Sequence, residues 1–296
     1  MFIDSFIGYL RVERHYSAHT VRSYERDLLA FKDYVAHLDE SLSFWEADTD
    51  VVRSWVASMM DAGAKPSTVC RKLSSLRSFF AYVCADCGVQ ENPVAGLRGP
   101  KCRKVLPSFV KEESMNALID DISFGSGYAA CRDKMILQLF YETGVRLSEL
   151  VGLDISSVDM QACTVKVLGK RNRERIIPFA AGLKVALESY LHERDAFAKK
   201  PCEALFLSAK GERVTQSFVY RMVRDRLAVV TTVKKKSPHV LRHSFATAML
   251  NNNAEIGAVK ELLGHRRLAT TEIYTHLGFE DLKSFYEMAH PRAGKQ

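Results

Sequence analysis

The stretch LLGHRRLATTEIYTH, Leu262 to His276, sets His265 nine residues ahead of Tyr274, at the expected start of a helix. A tyrosine in such a segment is ordinarily a packing residue whose hydroxyl finds a partner. It becomes a nucleophile only where its surroundings help it lose a proton, because an unperturbed phenol has a pKa near ~10. What the rest of the chain brings to Tyr274 decides between the two.

At 296 residues the chain has length for two domains with cores of their own. Apolar residues make up 47% and charged residues 26%, which is the balance of an ordinary globular protein. The N-terminal MFIDSFIGYLRVERHYS lacks the basic start and apolar run of a signal peptide, and no apolar stretch reaches the ~20 residues that span a bilayer. A cytoplasmic protein with no membrane partner is expected. Seven cysteines without a dense framework fit reduced thiols. Cys84 and Cys87 form a CADC with no second pair to complete a zinc site, so helix packing and no metal are expected there. Residues 1 to 98 carry 11 Lys+Arg against 13 Asp+Glu, whereas residues 111 to 296 carry 28 against 22. The positive balance lies in the second half, which suits a polyanion without demanding one.

The segment ENPVAGLRGPKCRKVLPSF, Glu91 to Phe109, holds three prolines, two glycines and a basic cluster between helical stretches. It marks a linker, taken as 99–106 between domains 1–98 and 107–296. Ahead of it, three-to-four spacing predicts helices over 1–12, 18–38, 49–62 and 67–85, the second burying Val21, Tyr24, Leu28, Phe31 and Val35. Asp48 and Ser67 are the candidate caps of the third and fourth. The fourth helix sets Val69, Leu73, Leu76 and Phe80 on one side and leaves Arg71, Lys72 and Arg77 elsewhere, which is a solvated face unless the chain binds DNA. After the linker, helices near 111–121 and 129–142 precede the turn TGVRLSEL. TVKVLGKRNRERIIPF then reads as a β-hairpin around 169–173, and further helices run to the end. No Walker motif, GxGxxG or internal repeat is present, so nucleotide-driven chemistry has no visible site.

Cutting a phosphodiester without a metal asks for a particular set of groups. Two arginines clamp the non-bridging oxygens, because guanidinium is always charged and donates two parallel hydrogen bonds to phosphate. A nucleophile attacks in line, an acid protonates the departing sugar oxygen, and one or two histidines position phosphate and move protons. YETGVRLSEL supplies Arg146, the hairpin tip Lys170, SPHVLRHSFAT supplies His239 and Arg242, LLGH supplies His265 and EIYTH supplies Tyr274. Each alone has a simpler reading: Arg146 as a partner of Glu149, Lys170 as a solvated tip, His265 as a helix cap. His239 and His243 could pair on zinc, but Val240 stands where a metalloprotease helix needs glutamate.

Together and in this order, the segments resemble the tyrosine recombinases, the lambda-integrase-like family, over nearly the whole chain. SSLRSFFAYV, NPVAGLRGPK and EMAHPRAG are most similar to its Xer branch. The resemblance implies a mainly α fold: an all-α, SAM-like core-binding domain, then a mostly helical catalytic domain with a small antiparallel sheet. It implies that Tyr274 attacks the scissile phosphate to form a 3′-phosphotyrosine, that Arg146 and Arg242 hold the phosphate, and that Lys170 protonates the 5′-oxygen. His239 then assists proton transfer, His265 bonds the phosphate, and Glu149 buttresses Arg146. It implies double-stranded DNA as partner, contacts from Arg71, Lys72, Arg77 and Arg171, and no cofactor. It further implies a homo- or hetero-tetramer on two DNA sites with a sister recombinase, a DNA translocase as activator, and docking of the C-terminal segment into a neighbouring protomer. Leu282, Phe285 and Met288 form the apolar side of that segment. Arg171, Ala248 and Asn253 depart from the glycine, histidine and glycine frequent in Xer-like sequences. Asn253 preserves the turn, since asparagine tolerates a left-handed helix end. Dimer resolution at a chromosomal site is the expected task; an integrase of a mobile element, a type IB topoisomerase and a non-catalytic DNA-binding regulator are the competing readings.

Overall fold

The computed structural model describes residues 2–87, 91–102, 108–169, 174–264 and 279–293. The chain divides into two compact units, Met1–Val105 and Leu106–Gln296.

The first unit is a four-helix body: α1 (Phe2–Val12), α2 (Ala18–Leu38), α3 (Thr49–Asp61) and α4 (Pro66–Cys87). Ser17 caps α2 through the Thr20 amide, and Asp48 caps α3 by accepting from the amides of Asp50 and Val51 at 2.9 and 2.8 Å. Ser67 is not the cap of α4. The helix begins one residue earlier at Pro66, whose fixed φ suits a first helical position and whose missing N–H would have had no partner there. The apolar stripes of the four helices bury a core rich in aromatics, with Phe6 edge-on to Phe79 and Phe31 against Trp55. Each buried aromatic or aliphatic side chain stabilises the unit by about 1.5 to 3 kcal/mol. The loop after α4 is tied back onto it: Asn92 donates to the Arg77 carbonyl and accepts from the Val94 amide, while Val94 is fully buried.

The second unit is built around α6 (Tyr128–Thr143), which is buried on nearly every side, as a central helix must be. Before it come α5 (Glu112–Asn116) and a π-turn, Ala117–Asp121. After it come α7 (Leu147–Gly152) and an antiparallel sheet of three strands, β1 (Val158–Asp159), β2 (Thr164–Leu168) and β3 (Glu174–Pro178). The hairpin pairs Thr164 with Pro178 and Leu168 with Glu174, as its alternation predicts. β1 is new: two residues are too few for alternation to reveal. Helices α8 (Ala181–Phe197), α9 (Gln216–Val230), α10 (Pro238–Asn251), α11 (Ile256–Leu263) and α12 (Phe279–Ala289) complete the unit. Asn253 takes a φ of 63°, the left-handed turn expected of it.

In this single chain α12 packs on its own unit. Its buried face is Leu282, Tyr286 and Ala289, followed by His290, while Met288 is 70% exposed. The large ring of Tyr286 sits between Leu282 and Ala289 at helical spacing and is fully buried, with Phe285 of the expected apolar side partly buried against the same core. Arg292 then bonds both oxygens of Asp120 at 2.9 Å and Glu142 Oε1 at 3.1 Å. No helix among the described residues is long and apolar enough to cross a membrane.

Glu142 is buried on α6 with Oε2 lacking a hydrogen-bond partner among the described residues. Burial pushes its pKa up to about 7, against the lowering effect of Gln138 and Arg292. The folded chain therefore holds a proton that the unfolded chain, with a carboxyl pKa near ~4.3, has already released. That contribution to stability is complete below about pH 4 and is lost as pH rises through about 7. Glu142→Gln, which mimics the protonated form, is expected to show a smaller fall in Tm between about pH 5 and about pH 8 than the wild type. Parallel curves in thermal unfolding followed by circular dichroism would contradict this.

Candidate active site

The turn from α6 into α7 is forced by Gly144, whose φ of 60° lies in the left-handed region. A Cβ there would meet Phe245 at 2.6 Å and Leu263 at 2.9 Å, so only glycine lets α6, α10 and the end of α11 approach this closely. Two residues on, Arg146 is the extended N-cap of α7, and Glu149 reaches back to accept from the Arg146 amide at 2.8 Å. One carboxylate of a first helical turn thus satisfies an orphan backbone donor and faces the guanidinium of the same residue.

Glu149 is 4% exposed and serves as a hub. Its Oε1 accepts from Arg146 Nη1 at 2.6 Å and Arg175 Nη1 at 2.7 Å, and its Oε2 accepts from Arg175 Nη2 at 2.8 Å. Burial alone would raise its pKa, but the hydrogen bonds from Arg175 and from the Arg146 amide, with the field of Arg175, hold it down at about 2. Arg242, buried on α10, donates from Nη1 to the Gly144 carbonyl at 2.6 Å and from Nη2 to the Leu263 carbonyl. Burial first, then the neighbouring Arg146 and Arg175, pull its pKa down to about 9, which leaves it charged at neutral pH. Three guanidinium groups against one carboxylate leave the cluster two charges positive. A phosphate ~4 Å from one such charge gains about 4 kcal/mol at an effective dielectric near 20.

His239 lies one helical turn before Arg242 on the exposed side of α10. Burial and the charges of Lys235, His243, Arg242 and Arg146 lower its pKa, so it is neutral at pH 7 and able to accept a proton. The arrangement can therefore bind an anion through fixed guanidinium donors and hold a neutral imidazole near it. Arg146, Arg242 and His239 lie near one another in this cluster. Lys170, His265 and Tyr274 lie outside the described residues, although the described chain reaches Gly264, whose carbonyl is held by Arg146 Nη2 at 3.0 Å.

Arg175 escaped the sequence reading. A signal existed: it lies two residues from Ile177 on β3, so it shares that strand's buried face, and an inward arginine requires an acid. The four DNA-contact candidates fare differently. Arg71 is exposed but pairs with the buried Asp27 and with Ser23. Lys72 lies over the Trp55 ring, 5.3 Å from its centroid. Arg77 donates to the carbonyls of Val94 and Leu97, at 3.3 and 2.9 Å, and so holds the loop after α4. Arg171 lies outside the described residues. Among the described residues no group of three or more His, Cys, Asp or Glu side chains could hold a metal ion.

Comparison with known proteins supplies the class. Residues 108–281 match the phage integrase family and residues 3–86 its N-terminal SAM-like domain. The tyrosine recombinase XerC of Staphylococcus carnosus is 37% identical over 293 residues, which is 99% of this chain and 98% of the relative. XerC of Pseudomonas aeruginosa is 38% identical over 295 residues, 99% and 96% of the two chains. The structure of the XerH site-specific recombinase bound to palindromic difH substrate, a post-cleavage complex, aligns with a TM-score of 0.71 at 24% identity, covering 93% of this chain and 81% of the other. The chain belongs to the phage integrase family. It is a tyrosine-type site-specific DNA recombinase, similar to the XerC recombinases, with a SAM-like helical unit ahead of an integrase-like catalytic unit.

The depressed pKa of Glu149 gives stability that is present above about pH 4 and lost as pH falls through about 2. Glu149→Gln is expected to cost about 3 kcal/mol at pH 7, because it removes a carboxylate held at about 2 and leaves the guanidinium groups unpaired. The gap to the wild type should narrow as pH falls from about 4, where the unfolded carboxyl takes up its proton, to about 2, where the folded one does. Thermal unfolding at neutral and acid pH checks both statements.

Proposed function

We propose that this recombinase resolves chromosome dimers, exchanging strands at a dif-like site together with a sister recombinase. The observation that carries the chemistry is the pair Arg146 and Arg242, fixed by Glu149 and backbone carbonyls, with His239 one turn before Arg242 on α10. The chromosomal role is supported by identities of 37 to 38% to XerC proteins over nearly the whole chain.

In this reading the two guanidinium groups hold the non-bridging oxygens of the scissile phosphate, where charge grows as the nucleophile adds. Tyr274 Oη attacks phosphorus as its proton passes to the imidazole of His239, the bond to the 5′-oxygen breaks, and Lys170 gives that oxygen its proton. One phosphodiester is replaced by another, a 3′-phosphotyrosine, so the reaction conserves the energy needed for rejoining and calls for no nucleotide. His239 takes part in the proton transfers and His265 bonds the phosphate. The first unit binds duplex DNA through the α4 face that carries Arg71 and Lys72, with Arg77 acting through the loop it holds, and Arg171 adds a contact from the hairpin. Phosphate contacts of this kind dominate affinity and make it salt-dependent. Four protomers assemble on two sites, α12 passes to a neighbouring protomer, a DNA translocase activates exchange, and the protein works in the cytoplasm at the nucleoid.

A nicked suicide duplex bearing the candidate site, incubated without metal or nucleotide, is expected to yield a covalent protein–DNA complex on a denaturing gel. Tyr274→Phe should yield none, and Arg146→Ala or Arg242→Ala should slow its formation on the order of 100-fold or more. Binding without an adduct, even after the sister recombinase is added, would point to a DNA-binding regulator instead.

A further inference from the structure

The last three carbonyls at the C-terminal end of α11 are each taken by a different arginine. Arg175 Nε donates to Leu262 at 2.9 Å, Arg242 Nη2 to Leu263, and Arg146 Nη2 to Gly264 at 3.0 Å. Two of these arginines are assigned to the scissile phosphate. The third, Arg175, holds α11 as they do, and among the described side chains it alone spans both oxygens of Glu149 with its guanidinium. Its side chain also forms the floor under Gly264, whose missing Cβ would lie 3.4 Å from Arg175 Cδ.

We infer that Arg175 is a positioning residue for strand cleavage: it fixes the Glu149 carboxylate that orients Arg146, and it anchors the α11 end that leads directly into His265. This rests on the assignment of Arg146 and Arg242 to the phosphate. The argument is geometric. Glu149 bonds Arg146 through one oxygen to the guanidinium and through the other to the amide, so rotation of its carboxylate would break one or both. The two parallel bonds from Arg175 prevent that rotation. A phosphate clamp displaced by ~1 Å loses on the order of 100-fold in rate without necessarily losing affinity. Lysine cannot substitute, because an ammonium group offers no fixed fork to span both carboxylate oxygens while a third donor reaches Leu262.

The test measures single-turnover cleavage of the nicked duplex at saturating DNA, with Kd for the same duplex, in the wild type, Arg175→Ala, Arg175→Lys, Glu149→Gln and the Arg175→Ala/Glu149→Gln double variant. The expected result is a rate lower on the order of tenfold or more in Arg175→Ala, with Kd within about twofold of the wild type. Guanidinium ion should raise the Arg175→Ala rate several-fold where ammonium does not, and the double variant should be no slower than its slower parent. Should Arg175→Ala fail to fold, Arg175→Lys carries the test, with a loss of roughly fivefold or more expected. Wild-type cleavage by Arg175→Ala, a loss confined to Kd, or effects that multiply in the double variant would overturn the proposal. Hydrogen exchange of segment 256–264 without DNA separates this from the phosphate assignment. If the wild type never cleaves, that assignment fails, and exchange alone decides whether Arg175 anchors α11: faster on the order of tenfold in Arg175→Ala supports it, unchanged overturns it.

Discussion

One buried carboxylate holds the arginine cluster of the candidate active site together. Arg146, Arg175 and Arg242 converge on the end of α11, and three like charges in a partly desolvated space repel one another by several kcal/mol. Glu149 offsets part of that repulsion through two guanidinium groups at once. The remainder is met by the protein backbone. The C-terminal end of a helix carries a partial negative charge and carbonyls without intrahelical partners, and here that end faces the three cations. The compensation is deliberately incomplete in its effect: two positive charges are left for an anion to neutralise.

Two glycines make this convergence sterically feasible. Gly144 turns the chain so that Arg146 leaves α6 facing α11, and its bare Cα lets Phe245 and Leu263 close in from either side. Gly264 ends α11 at φ +63°, with the stem of Arg175 packed beneath it. Donors on α7, β3 and α10 therefore meet acceptors from α6 and α11 over a few ångströms. The chain separation is large, 118 residues between Arg146 and Gly264, so the site forms only when the whole unit has folded around α6. A preorganised anion site of this kind has already met its reorganisation cost in folding.

The helices of the first unit and the hairpin of the second were legible because amphipathic periodicity is a local property. The Arg, His-x-x-Arg spacing was legible through its resemblance to the recombinases. What escaped depends on contacts distant in sequence. Periodicity placed Arg77 away from the apolar side of α4 and stopped there; that it turns onto the carbonyls of Val94 and Leu97 depends on where the following loop returns. On α12, Leu282, Phe285 and Met288 align at helical spacing, and only the surface receiving the helix buries Tyr286 fully, leaves Phe285 partly buried and turns Met288 to solvent. Arg175 sat inside an alternating strand pattern where an inward arginine looks like a misfit until its acid, 26 residues away, is found.

The two buried carboxylates of this region, Glu142 and Glu149, show how differently one fold treats the same group. Seven residues apart, one is pushed up to about 7 and the other held at about 2. Glu149 has two guanidinium groups and a backbone amide, so its charge is secure and its geometry fixed. Glu142 has Gln138 and Arg292 on one oxygen and, among the described residues, no partner on the other. Arg292 arrives from the C-terminal tail and divides its donors between Glu142 and Asp120. A carboxyl poised near neutrality buries less charge at that seat than an ionised one would. Glu149 stays ionised, because protonating it would set three arginines against one another. Electrostatic rigidity is thus concentrated at the arginine cluster around Glu149, while the seat of the C-terminal tail stays closer to neutral.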